Sequence, residues 1–76
     1  MAKKGGGGGA VYRVTEVIGT SADSWEDAAK NAVATAGSTL RDLRIAEVTK
    51  LDVRIDDNGK IAQFRARLAL SFKYEG

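Results

Sequence analysis

The sequence predicts an α+β fold, a β-α-β-β protomer whose three-stranded antiparallel sheet wraps round one helix. Three observations carry this. Residues 60–75 alternate apolar and polar almost without fault, the period of two of a half-buried strand. Trp25, Ala29, Ala32, Ala36, Leu40 and Leu43 recur at steps of four and three, one stripe along a helix. Asn58-Gly59 separates two strand-like runs and is the preferred pair for a type I′ hairpin turn.

The first strand covers residues 11–19, with Tyr12, Val14, Glu16 and Ile18 on one face and Val11, Arg13, Thr15 and Val17 on the other. Gly19 supplies the conformational freedom that a sharp exit from the strand needs. Ser24 then fits a helix N-cap, and Asp27 three residues on completes a capping-box pattern while placing negative charge at the positive end of the helix dipole. The helix is expected over 25–43. Its alanine stripe lets it lie close to a sheet, and Gly37 falls within it at a cost of about 1 kcal/mol against alanine.

Residues 44–57 and 60–75 form the hairpin. A two-residue turn at Asn58-Gly59 sets Ile55 opposite Ala62, Val53 opposite Phe64 and Leu51 opposite Ala66, with Asp52 facing Arg65 and Arg54 facing Gln63. A four-residue loop keeps the same register. The apolar positions of the second strand change phase between Val48 and Leu51, which a β-bulge near Thr49-Lys50 explains. Strands of about fifteen residues span roughly 50 Å, whereas a helix of about nineteen covers roughly 29 Å. The hairpin must overhang its helix or curl round it, and either outcome leaves strand surface for partner subunits.

Seventy-six residues make one domain, here 10–76, behind a glycine-rich leader at 1–9 that reads as disordered. Without cysteine or histidine the chain has no disulfide, no thiolate metal site and no usual general base. A small chain with none of these staples gains stability by oligomerising. Lys3 and Lys4 in the leader account for the net charge of +2, and the remaining ten basic residues balance ten acidic ones. That balance argues against a nucleic-acid partner. No apolar run reaches the roughly 20 residues of a membrane span, and residues 1–9 lack the apolar segment of a signal peptide. A cytoplasmic protein is expected.

No nucleophile–base pair assembles from recognisable spacing, so the chain is not expected to be an enzyme. The glycine run lacks the Lys-Ser/Thr of a phosphate loop. Asp56-Asp57-Asn58-Gly59 lacks the spaced ligands of a calcium loop and reads as a turn. Arg54, Arg65 and Arg67 read as a solvated basic row paired with Asp52, and Trp25 as a packing residue.

A short strand ending Gly19-Thr20-Ser21, one helix, and a long hairpin ending Ser71-Phe72-Lys73 resemble the dodecin family over residues 10–75. The resemblance implies twelve protomers in a hollow homododecamer, storing flavin between subunits in many members. The flavin residues do not carry over. In Arg44-Ile45-Ala46-Glu47-Val48, Ile45 stands where the family's stacking tryptophan is expected, and Arg65 where a flavin-bonding glutamine is expected. Isoleucine has no π face, and a guanidinium donates but cannot accept. Flavin binding by the usual mode is therefore not expected.

Ser24-Trp25-Glu26 and Ile45-Ala46 are closer to a calcium-dodecin branch, which implies binding of a hard cation such as calcium. Calcium takes six to eight oxygen ligands, so a site would draw on several protomers or on water. Its candidates are Glu16, Glu47, Asp52, Asp56 and Asp57; the competing reading pairs these carboxylates with Lys50, Arg54 and Arg65 across the sheet. A shell that stores ions or small molecules and a structural assembly without a ligand both stay open.

Overall fold

The computed structural model describes residues 9–73. Strand β1 (Tyr12–Ser21) leads into helix α1 (Trp25–Gly37), and strands β2 (Leu43–Ile55) and β3 (Ile61–Lys73) form the hairpin. All pairing is antiparallel in the order β1-β3-β2, so β3 is central and the other two are edges. The β-α-β-β order and three-stranded sheet are as the sequence predicts. The leader up to residue 8 and strand positions Tyr74 and Glu75 lie outside the described residues.

Helix α1 lies on one face of the sheet, over β1 and β3, and barely touches β2. The core consists of Ala28, Ala32 and Ala36 from the helix against Ala66, Leu68 and Leu70 from β3. Alanine makes this close approach possible, and Gly19 makes it closer. A Cβ added at Gly19 would stand 2.1 Å from the Ala28 carbonyl oxygen and 2.8 Å from the Ala32 Cβ. Gly19 lies inside β1, which runs on to Ser21, and it is not among the residues with positive φ. Its role is steric contact with the helix, not the sharp exit expected from the sequence.

The helix start is built as expected, with one exchange of partners. Ser24 is the N-cap, and its Oγ accepts from Asp27 N–H at 3.0 Å. The Asp27 carboxylate instead accepts from Ser21 Oγ at 2.7 Å, and that oxygen accepts in turn from Asp23 N–H at 2.9 Å and Ser24 N–H at 3.4 Å. Ser21 thus does the work that Asp27 would do in a capping box. Ser24→Ala is expected to cost about 1 kcal/mol, read as a lower thermal unfolding midpoint.

Two boundaries differ from expectation. The helix stops at Gly37, six residues short of Leu43. Ser38 and Thr39 turn their hydroxyls onto the Thr35 and Ala36 carbonyls at 2.7 and 3.3 Å, offering the backbone an alternative to helix. The Thr39 and Leu40 N–H groups both return to the Ala36 carbonyl, and Asp42 then takes φ of 57° to enter β2. Gly37 is therefore the last helical residue, not a weak point within the helix.

The hairpin turn is the second correction. Asn58 is not at positive φ, so the type I′ turn does not form; Gly59 alone is, at 77°. The Asp56 N–H bonds to the Lys60 carbonyl at 2.8 Å and closes a three-residue loop. Asp56 Oδ1 accepts from the Asn58 and Lys60 N–H groups at 2.9 and 3.0 Å, an Asx turn that draws the chain into this shape. Ile55 consequently pairs with Ile61, not Ala62, while the Asp52–Arg65, Val53–Phe64, Leu51–Ala66 and Arg54–Gln63 pairs stand as argued. The register shift between Val48 and Lys50 matches the expected bulge.

Candidate functional site

The face of the sheet away from the helix collects most of the charged side chains of the strands, and its rows follow from register. Residues paired across an antiparallel ladder share a face. Glu16 on β1 and Glu47 on β2 both pair with Ala69 on β3. Two strand spacings place their Cα atoms roughly 10 Å apart, with only a methyl group between them. Both glutamate side chains are long enough to turn their carboxylates over Ala69 toward one cation. Neither takes part in an ion pair among the described residues. Glu16 also lines an open groove of about 440 Å³ with Val17, Ile18 and Arg67.

The other three metal candidates are elsewhere or engaged. Asp52 holds Arg65 through Nε–Oδ1 at 2.7 Å and Nη2–Oδ2 at 3.4 Å, the cross-strand pairing that competed with a metal role. Asp56 is committed to the hairpin turn. Asp57 stands exposed at the loop, about eight residues of strand from Ala69 and so roughly 25 Å away. Among the described residues no three acidic side chains gather where they could hold a metal. The described residues of one chain thus bring two carboxylates to this row, and calcium would need water or a second copy to complete its shell.

Ala69 is the residue that sequence reading passed over. It is the one apolar side chain in the polar set Gln63, Arg65, Arg67, Ala69, Ser71 and Lys73, and that break was its signal. Its consequence appears only when the register of both edge strands is known.

Ile45, 62% exposed, pairs with Ser71 on the same open face. Arg65 lies six residues back along β3, roughly 20 Å away, with its guanidinium held by Asp52. Arg54 donates from Nε to Gln63 Oε1 at 3.2 Å. Trp25 packs edge-on against Phe64 with ring centroids 5.1 Å apart, and its Nε1–H donates to the Asp52 carbonyl at 3.0 Å. A groove of about 700 Å³ between β1 and the helix is lined by Thr15, Thr20, Asn31, Thr35 and Thr39 with apolar residues. It carries no charge and offers a hard cation no carboxylate.

An alanine-faced helix on a three-stranded antiparallel sheet, with charged side chains on the open face, defines a small β-α-β-β protein. The chain belongs to the dodecin family, whose family model matches residues 11–75. It is 46% identical over 63 residues to the calcium dodecin of Mycobacterium tuberculosis, covering 83% of this chain and 87% of that protein. The dodecin structure from Streptomyces coelicolor superposes with a TM-score of 0.81 at 45% identity, covering 88% of this chain and 94% of that one. The crystal structure of the M. tuberculosis calcium dodecin, described as a calcium-chelating antigen with a novel calcium-binding site, gives a TM-score of 0.77 at 44% identity over 87% and 93% of the two chains. Among the described residues no helix is long and apolar enough to cross a membrane.

Proposed function

We propose that this chain is the protomer of a non-enzymatic, cytoplasmic homododecameric shell that binds calcium, with Glu16 and Glu47 as its ligands. The observation that carries the reading is the Glu16–Ala69–Glu47 row, two carboxylates without an ion-pair partner among the described residues on either side of a side chain too small to intervene. The kinship with a calcium dodecin supports the choice of ion. Water and a neighbouring copy supply the remaining oxygens. Calorimetric titration of the assembled protein with calcium, with magnesium as the comparison, tests it.

Flavin is expected to bind weakly. Aromatic stacking contributes about 0.5–1.5 kcal/mol beyond area burial, and Ile45 cannot supply it. The Asp52 ion pair further occupies two of the five Arg65 donors. Ile45→Trp combined with Arg65→Gln is expected to raise riboflavin affinity, read as fluorescence quenching. Tight riboflavin binding by the unaltered protein would contradict this.

A further inference from the structure

The helix covers β1 and β3 and leaves the same face of β2 open, creating an apolar groove of about 400 Å³. Ala29, Val33, Ala34, Ala46, Val48 and Leu68 line it, and Lys30 is the single charged residue in its lining. Val33 and Val48 remain 37% and 47% exposed there. A second apolar feature stands at the far end of the same hairpin. Ile55 and Ile61 pair at its tip, 60% and 55% exposed, and the acidic Asp57 follows in the loop.

We infer that the groove is filled by the hairpin tip of a second copy of this chain, with Ile55 and Ile61 seated between Val33 and Val48 and Asp57 set against Lys30. Charge complementarity selects this occupant, because the groove carries one cation and the tip loop Asp56-Asp57-Asn58-Gly59-Lys60, with two carboxylates and one ammonium, is net acidic. Neither Lys30 nor Asp57 has an ion-pair partner among the described residues. The tip cannot reach its own groove: Val48 and Ile55 lie seven residues apart on one strand, roughly 20 Å. The contact is therefore between copies: a reciprocal pair of tips and grooves closes as a two-fold dimer, and a one-way contact closes into a ring or runs on as a filament. The inference rests on the closed twelve-copy shell proposed above. The twelve copies are then placed in tetrahedral symmetry, where both closures exist and neither exceeds three copies.

The chain has no cysteine, so a disulfide can report the contact directly. Ile55→Cys and Val48→Cys are combined in one chain, and the assembled protein is mildly oxidised and run on a non-reducing gel. A disulfide needs Cα atoms within about 7 Å, so an intrachain bond is out of reach. Covalent dimers and trimers, with nothing larger, are the expected result, and each single variant should stay monomeric on the gel. No cross-linked species, a ladder beyond the trimer, or dimers from Ile55→Cys alone would each overturn the inference. Light scattering on the unaltered protein separates the two levels. An intact assembly without the disulfide removes only the tip-in-groove contact, whereas a monomer mass removes the shell and this contact together.

Discussion

Gly19→Ala is expected to prevent the protomer from folding stably, the largest effect of any single methyl group in this chain. The added Cβ would meet the Ala28 carbonyl oxygen at 2.1 Å and the Ala32 Cβ at 2.8 Å. The first of these is backbone within an intact helical turn, so no rotamer change relieves it. The helix would have to lift from β1, opening the Ala28–Ala32–Ala36 contact that forms half of the core. Ordinary overpacking costs about 1–3 kcal/mol, and a backbone clash of this depth belongs at or beyond the upper end of that range. Gly37→Ala is the control. Nothing lies within 4 Å of a Cβ there and φ is not positive, so it should stabilise the helix end slightly. Denaturant midpoints of the two variants should move in opposite directions. A Gly19→Ala protein as stable as the unaltered chain would mean that helix and strand do not approach as described.

The contrast between these glycines marks how far the fold could be read from residues. The alternation of β3, the cap at Ser24 and the bulge near Lys50 are local patterns, and each emerged in place. Of the helix stripe, Ala32 and Ala36 are buried, whereas Ala28, outside it, is buried in place of Trp25. Leu40 and Leu43 were legible as core residues, and both do pack against the core. They reach it from the connection and the start of β2, because side-chain bonds from Ser38 and Thr39 end the helix first. The hairpin turn failed for a similar reason. Asn58-Gly59 favours type I′, yet the Asp56 carboxylate captures two backbone N–H groups and imposes another loop. The site was less legible than the fold. Glu16, Ala69 and Glu47 are distant in sequence, and only strand order brings them into one row.

That row yields the second large effect. Ala69→Lys should abolish calcium binding by placing an ammonium between the two carboxylates. The new cation would satisfy Glu16 and Glu47 as cross-strand ion pairs, each contributing about 0.2–1 kcal/mol. Thermal stability in chelator should therefore be retained or raised, even though the calcium response disappears. Loss of binding together with loss of the fold would not meet this expectation; the two readings must separate. Calcium bound as proposed would stabilise the unaltered protein by mass action, about 2.7 kcal/mol at a hundred times its dissociation constant. That rise should be present in the unaltered chain and absent from Ala69→Lys.

Calcium titration of the assembled protein by calorimetry, set beside Glu16→Gln and Glu47→Gln, tests the central claim most directly. Saturable heat with calcium is predicted for the unaltered chain. Either neutralised variant should bind at least tenfold more weakly, a change of about 1.4 kcal/mol, with the assembly mass unchanged in light scattering. No heat from the unaltered protein, with a thermal midpoint indifferent to calcium, would contradict the account, as would calcium binding that both variants retain in full.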